Sequence, residues 1–207
     1  MANLGFTHRF EPREFASRTL LLLHGTGGDE NDLLELGRAL DSQAALLSPR
    51  GKVLEGNAPR FFRRLAEGVF DEEDVVARAA ELSSFIDAAS AEYKFPIQNL
   101  TAVGYSNGAN IAAAMLLLGV AKFRSAVLFR AMLPLSRIDV PSLTGYRILM
   151  LNCSFDPIIP LPNAQRLGQI FQSAGAQVEL RIQPSGHELT TADVEAAREW
   201  LRSQRVE

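Results

Sequence analysis

LTAVGYSNG, at residues 100–108, joins a strand-like run to a helix-like run and is the most informative segment for the fold. Its first four residues form a short apolar run typical of a buried strand, and the helix-favouring residues 109–120 that follow are almost all apolar. The structure therefore changes type at Ser106, between two glycines that leave room for a very tight turn. We expect this turn to place the serine hydroxyl at the N-terminus of a helix, where backbone N–H groups are free.

Short apolar runs alternate with longer helical patterns along the rest of the chain, which predicts a mostly parallel sheet with helices on both faces. We predict strands at residues 6–10, 19–23, 44–47, 100–104, 125–129, 146–152 and 177–183. We predict helices at residues 30–42, 72–92, 107–120, 161–174 and 191–204. Continuous apolar strands such as residues 20–23 fit central positions that are buried on both faces.

Nothing in the sequence marks a domain boundary, since no repeat, low-complexity tract or linker interrupts the 207 residues. We therefore predict a single domain spanning residues 1–207. The stretch between the predicted strands that end at residue 129 and begin at residue 146 is too short for a helical lid domain. We expect an open site.

Bulk composition narrows the classes of partner. The formal net charge of −3 argues against nucleic acid or an anionic membrane surface, which usually require a basic face. A single cysteine, Cys153, excludes an internal disulfide framework and fits a reducing compartment. Residues 1–6 lack the charged start and long apolar stretch of a signal peptide, and the apolar runs are too short to span a bilayer. We expect a cytoplasmic protein without membrane insertion.

A Gly-x-Ser-x-Gly motif at a strand-to-helix junction is typical of the nucleophile elbow of serine hydrolases. A serine is a weak nucleophile unless a base takes its proton and a third group orients that base. Asp156 follows the strand predicted at residues 146–152, and His187 lies in a loop before the last helix. All three positions fall at carboxyl ends of strands, in the chain order of an α/β-hydrolase. We predict a catalytic triad of Ser106, His187 and Asp156.

The segment HGTGG at residues 24–28 follows the strand at residues 19–23 and is the candidate for the remaining part of a serine-hydrolase site, the oxyanion hole. Its glycines allow backbone N–H groups to point at one spot, so we predict an oxyanion hole formed by the amides of Thr26 and Asn107. The position of His24 before this loop suits a structural role. Clustered metal ligands are not found in the sequence, and we expect no metal or other cofactor.

These motifs resemble the phospholipase/carboxylesterase family of α/β-hydrolases, small lid-less enzymes that include acyl-protein thioesterases and bacterial carboxylesterases. The resemblance runs from about Leu20 to the end of the chain and is carried by LHGTGG (23–28), GYSNGA (104–109), DPIIP (156–160) and GHE (186–188). It implies hydrolysis of short- to medium-chain or small aromatic esters through an acyl-enzyme, by a monomer or homodimer. The alternatives are an acyl thioesterase, a lysophospholipase, or a non-catalytic ligand-binding protein on a hydrolase scaffold.

Three further features carry open interpretations. The family places the loop containing RFFRR (60–64) beside the substrate pocket, so Phe61 and Phe62 are candidate pocket walls, with core packing as the equal alternative. Many relatives have a small residue where this chain has Arg130. We expect Arg130 to line the substrate pocket near the mouth of the site, where it either attracts an anionic leaving group or pairs with a carboxylate. The acidic run DEED (71–74) is better explained by the dipole of the following helix than by partner binding.

Overall fold

A central, mostly parallel sheet organises the computed structural model, which describes residues 4–136 and 139–204. The strands are β1 (His8–Glu11), β2 (Thr19–Leu23), β3 (Ala45–Pro49), β4 (Val53–Glu55), β5 (Ala58–Arg60), β6 (Arg64–Ala66), β7 (Val69–Phe70), β8 (Leu100–Tyr105), β9 (Ser125–Phe129), β10 (Arg147–Cys153) and β11 (Gln177–Gln183). The sheet has the order β1-β3-β2-β8-β9-β10-β11, in which β1 is antiparallel to β3 and the other neighbours are parallel. The predicted sheet is confirmed.

Helices cover both faces of this sheet. They are α1 (Leu34–Leu40), α2 (Glu72–Tyr93), α3 (Asn107–Leu117), α4 (Leu161–Ser173) and α5 (Thr191–Ser203). One hydrophobic cluster joins α2, α3 and α4 to one face, and a second joins α1 and α5 to the other. The predicted α/β architecture, with helices on both faces, is therefore confirmed.

Strand β2 shows why its sequence is continuously apolar. Leu20 and Leu22 belong to the cluster with α1 and α5, whereas Leu21 and Leu23 belong to the cluster with α2, α3 and α4. All four side chains are fully buried. Because successive side chains of a strand point to opposite faces, a strand covered on both sides needs apolar residues at every position.

The connection between β9 and β10 carries no helix or strand in the part that the structure describes, which excludes positions 137 and 138. The fold therefore lacks a helical lid there, as the short spacing predicts. Residues 1–3, which begin the predicted leaderless N-terminus, and residues 205–207 also lie outside the described part. None of the described helices is both long and apolar enough to cross a bilayer.

Two small antiparallel hairpins, β4–β5 and β6–β7, are absent from the sequence prediction. Their strands have only two or three residues, too few to show a periodic pattern. We refer to residues 53–70 as the hairpin segment. The predicted start of the first helix is also wrong: α1 begins at Leu34, because turns occupy the preceding residues and Asp29 accepts a hydrogen bond from the amide of Asn31.

Helix α2 begins at the acidic run DEED. Asp71 is the N-cap residue, and its side chain accepts a hydrogen bond from the amide of Asp74. The other acidic residues lie in the first turn, where they complement the positive end of the helix dipole. The structure thus agrees with the local explanation of this run.

Candidate active site

Ser106 lies in a strained turn between β8 and α3. It is the N-cap residue of α3, with φ 51° and ψ −111°, a region that non-glycine residues rarely occupy. A Cβ atom added to Gly104 would lie 2.6 Å from the carbonyl oxygen of Gly108, and one added to Gly108 would lie 1.9 Å from that of Leu23. Side chains at either flank would therefore force this turn apart, which explains why the motif has glycine on both sides of the serine.

Three side chains from separate loops meet at this turn. The Oγ atom of Ser106 lies 3.0 Å from Nε2 of His187, and Nδ1 of His187 lies 2.8 Å from Oδ2 of Asp156. The other oxygen of Asp156 accepts hydrogen bonds from the amides of Ile158 and Ile159, and only 1% of its side chain is exposed. With Asp156 accepting the Nδ1 proton, the Nε2 lone pair faces the serine hydroxyl.

Arg130 lies beneath the loop that carries His187. Its guanidinium donates two hydrogen bonds to Asp193, of 3.0 and 2.6 Å, and three more to the carbonyl oxygens of His187, Glu188 and Leu151. The Arg130 side chain is fully buried, and its backbone has φ 56°. Arg130 thus ties the His187 loop to β10 and to α5.

The prediction that Arg130 lines the substrate pocket is therefore wrong. Of the two roles considered for this residue, the ion pair with a carboxylate is the one that the structure contains. Burial alone would raise the pKa of Asp193, but hydrogen bonds from Arg130 and Thr190 lower that pKa below the ordinary range. Burial likewise opposes the charge on Arg130, whereas its hydrogen bonds to Asp193 outweigh burial and raise its pKa.

The glycine-rich loop after β2 is fastened to the hairpin segment. The amide of Gly27 donates to the carbonyl of Pro59 at 2.9 Å, and Nη1 of Arg60 donates to Oγ1 of Thr26 at 2.6 Å. Thr26 and Asn107, the predicted oxyanion-hole residues, line the same cavity as Ser106. Asn107 is the first residue of α3, so its amide has no acceptor within the helix.

His24 has the structural role that its position suggests. Its Nδ1 lies 2.7 Å from the carbonyl oxygen of Gly25, and its Nε2 accepts a hydrogen bond from the amide of Gly51 at 2.9 Å. The ring is fully buried, and this burial lowers the pKa of His24. One donated and one accepted hydrogen bond suit a neutral imidazole that joins two loops.

A cavity of about 340 Å³ opens beside Ser106. It is lined by Thr26, Arg60, Arg64, Glu67, Gly68, Phe70, Tyr105, Ser106, Asn107, Asn110, Met132, Ile158, Ile159 and His187. The hairpin segment supplies much of this lining, in agreement with the resemblance, which places residues 60–64 beside the pocket. The hairpins themselves are absent from the sequence prediction. A larger concavity of about 510 Å³ lies at the opposite ends of the parallel strands and includes no member of the Ser106 cluster.

Phe61 and Phe62 do not line the cavity, so their prediction as pocket walls is wrong. Their exposures are 2% and 0%, and both belong to the core cluster on the α2 and α3 side of the sheet. Core packing, the equal alternative, is the correct interpretation. Phe62 nevertheless supports the cavity indirectly, because its ring contacts that of Phe70 edge-on at 5.0 Å. The residues of the RFFRR run that do line the cavity are Arg60, which is buried, and Arg64.

Asn107 has a second role that sequence reasoning did not find. Its side-chain Oδ1 accepts a hydrogen bond from the amide of Phe61 at 2.7 Å, which links the start of α3 to the hairpin segment.

Among the described residues, no group of three or more His, Cys, Asp or Glu side chains is placed so that it could hold a metal ion.

A mostly parallel sheet with a strained serine at the end of β8 defines the class of protein as an α/β-hydrolase. The chain matches the family model described as Phospholipase/Carboxylesterase over residues 9–204. It is 44% identical over 191 residues to MhqD of Bacillus subtilis (strain 168), a protein described as a hydrolase, with 92% of this chain and 96% of that relative covered.

Solved structures agree with the family match. The Bacillus cereus carboxylesterase is 44% identical and has a TM-score of 0.94, with 97% of this chain and 95% of that chain covered. YahD, whose structure was determined with malic acid, is 28% identical and has a TM-score of 0.92, with 97% of this chain and 100% of that chain covered. This chain belongs to the phospholipase/carboxylesterase family, and it is an ester-hydrolysing serine hydrolase.

Proposed function

We propose that this protein is a serine carboxylesterase that hydrolyses short- to medium-chain or small aromatic esters through an acyl-enzyme. The observation that carries the proposal is the hydrogen-bonded line from Ser106 through His187 to Asp156, with distances of 3.0 and 2.8 Å. A hydroxyl, an imidazole and a carboxylate in this order form the arrangement that activates a serine nucleophile.

In the first half of the proposed reaction, Nε2 of His187 takes the proton of Ser106 as its Oγ bonds to the ester carbonyl carbon. The amides of Thr26 and Asn107 stabilise the oxyanion, each by about 3 kcal/mol. His187 then gives its proton to the leaving alcohol as the C–O bond breaks, which leaves an acyl ester on Ser106. Asp156 orients the imidazole and offsets its transient positive charge.

In the second half, water replaces the alcohol. His187 takes a proton from the water as its oxygen attacks the acyl carbon, and the same two amides stabilise the second oxyanion. His187 returns that proton to Oγ of Ser106 as the acyl–serine bond breaks. The carboxylic acid leaves and the enzyme is restored.

The cavity supports small substrates. At about 340 Å³ it lies near the lower end of the range for small-molecule sites. Phe70, Met132 and Ile159 provide apolar walls, which suit an acyl chain or a small ring. The relative YahD was crystallised with malic acid, a compound of similarly small size.

The test combines a fluorophosphonate probe with an ester panel. We expect the probe to label the wild type and the matched control Ser154→Ala, whose serine is exposed and outside the cluster, but not Ser106→Ala. We expect kcat/KM to be highest for short and medium acyl chains and to fall for long-chain emulsions. Thioesters of equal chain length separate esterase from thioesterase. Folded wild type that resists labelling would instead favour a non-catalytic binding protein.

A further inference from the structure

Two arginines of the hairpin segment face the cavity beside Ser106. Arg60 and Arg64 both belong to its lining. The Arg60 side chain is only 3% exposed, and its Nη1 lies 2.6 Å from Oγ1 of Thr26, on the loop proposed to hold the oxyanion. A guanidinium therefore lies very close to the reacting centre. Neither step of ester hydrolysis described above uses it.

These two cations share one counterion outside the cavity lining. Glu55 accepts hydrogen bonds of 2.7–3.1 Å from Arg64 and lies 3.3 Å from Nη1 of Arg60. Burial, and next the charge of Arg64, lower the pKa of Arg60, whereas Glu55 acts in the opposite direction. Arg60 is thus a desolvated cation whose charge is only partly balanced.

Glu67 is the one acidic residue among those lining the cavity, and it does not change this balance. Glu67 is exposed on the turn between β6 and β7, where water and salt screen its charge. A carboxylate brought into the cavity would instead meet the guanidinium ends in a partly desolvated space, where charge-assisted hydrogen bonds are strongest.

We propose that Arg60 and Arg64 bind a carboxylate of the substrate, so that the preferred substrates are monoesters of small dicarboxylic acids or similar carboxylate-bearing esters. This inference rests on the proposed esterase function and specifies its substrate class. The planar guanidinium matches a carboxylate with paired hydrogen bonds. Because Arg60 contacts Thr26, only a short carbon chain separates the recognised carboxylate from the ester carbonyl.

The decisive comparison uses two esters of one acid, monoethyl succinate and diethyl succinate. Initial rates are measured by pH-stat at neutral pH, where the free carboxyl of the monoester is ionised. We expect a kcat/KM per ester bond about tenfold or more higher for the monoester, a difference of about 1.4 kcal/mol. Added sodium chloride should lower this preference, because screening weakens the attraction between charges.

The matched variants are adjacent in sequence. Arg64→Gln removes a cavity guanidinium and should lower the monoester-to-diester ratio about tenfold. Arg63→Gln is the control, because Arg63 points to Asp71, is not part of the cavity lining, and should leave the ratio as in the wild type. Far-UV circular dichroism establishes that each variant is folded. The wild-type salt dependence tests the same claim without any substitution.

The outcomes separate this inference from the proposed function. Equal kcat/KM values for the two succinates in the wild type, or an equal change of the ratio in Arg63→Gln and Arg64→Gln, would overturn carboxylate recognition while leaving an esterase. Failure of the folded wild type to hydrolyse either succinate or 4-nitrophenyl acetate would overturn both.

Discussion

Two buried arginines serve opposite sides of the candidate active site in different ways. The guanidinium of Arg130 donates five hydrogen bonds to acceptors of the protein, two of them to the fully buried Asp193. Arg60 donates to the carbonyl oxygen of Phe62 and to Thr26, shares Glu55 with Arg64, and lines the cavity. We infer that a buried guanidinium fixes structure where protein acceptors take up its five N–H groups, and can bind a ligand where fewer of them are taken up.

The same contrast extends to the two regions around these residues. The His187 loop is fastened by a buried ion pair and by carbonyl contacts in the interior. The hairpin segment is fastened to its surroundings partly by exposed pairs such as Arg63 with Asp71, which contribute little individually. We infer that the His187 side is rigid and intolerant of change, whereas the hairpin side can vary with the substrate.

Asp156→Asn has the largest expected effect on activity. Asn can still accept from the amides of Ile158 and Ile159, but its amide group cannot accept the Nδ1 proton of His187 in the same geometry. The imidazole then favours the wrong tautomer, and kcat should fall by about 10⁴. Steady-state kinetics on a short ester measure this fall.

The control for this substitution is Asp87→Asn, which removes an exposed carboxylate paired with Lys122 and should leave kcat unchanged. Loss of activity in both variants would show a general effect of charge rather than a role for Asp156. A kcat of Asp156→Asn within tenfold of the wild type would contradict the triad.

Arg130→Met comes next and tests the rigid side directly. It leaves Asp193 buried without its cation, which should cost about 3–5 kcal/mol in the free energy of unfolding. It also frees the carbonyls of His187 and Glu188, so kcat should fall more than KM changes. Urea unfolding and steady-state kinetics give the two quantities separately.

Adding Asp193→Asn to Arg130→Met distinguishes stability from positioning. Asn preserves an acceptor for the capping contacts with Thr190 and removes the unpaired charge, so part of the lost stability should return. The loss of kcat should remain, because the loop still lacks Arg130. Recovery of both quantities together would refute a positioning role for Arg130.

The pH dependence of this stability follows from Asp193. Its folded-state pKa is lowered, so its contribution is complete above the ordinary aspartate pKa of about 3.9 and is lost as the pH falls through the lower folded value. The stability deficit of Arg130→Met relative to the wild type should therefore be large at neutral pH. It should shrink as the pH falls below the ordinary aspartate pKa and Asp193 becomes protonated. A deficit independent of pH would show that lost packing, not the ion pair, is responsible.

Sequence reasoning worked best where a pattern has a single physical cause. The predicted bounds of the seven strands of the central sheet lie within two residues of the observed ones at each end. The pattern is clearest in β2, where burial on both faces demands a continuous apolar run. Ser106, Asp156 and His187 are predicted to lie together because each follows a strand whose carboxyl end lies at one edge of the sheet, and the structure brings their side chains within hydrogen-bonding distance.

It failed where the partner of a residue is far away in sequence. The burial of Arg130 depends on Asp193, which lies 63 residues later in the capping box of α5. The family resemblance makes Phe61 and Phe62 candidate pocket walls with core packing as the equal alternative, and the hairpins around them have strands too short for a period that would decide between the two. Without those hairpins, the orientation of alternate residues in RFFRR cannot be predicted.

Thr26→Val tests the link between the two regions with a moderate expected effect. Valine keeps the shape of threonine but removes the hydroxyl that accepts from Arg60 at 2.6 Å. Loss of a hydrogen bond to a charged group should lower the free energy of unfolding by about 1.5–3 kcal/mol. Since Thr26 is on the proposed oxyanion loop, kcat should also fall. Thr26→Ser keeps the hydroxyl and is the control, and equal behaviour of the two variants in urea unfolding and kinetics would exclude a role for this contact.

Arg63→Gln has the smallest expected effect and probes the variable side. Arg63 belongs to the hairpin segment and is 60% exposed, and its guanidinium donates to Asp71, the N-cap residue of α2. Water and salt screen such a pair, so the free energy of unfolding should change by no more than the experimental error. A double-mutant cycle with Asp71→Asn, which retains a good N-cap residue for α2, measures the coupling. If this coupling were as large as that between Arg130 and Asp193 and insensitive to 1 M salt, the hairpin segment would be as rigid as the His187 loop, and the contrast between the two arginines would lose its physical basis.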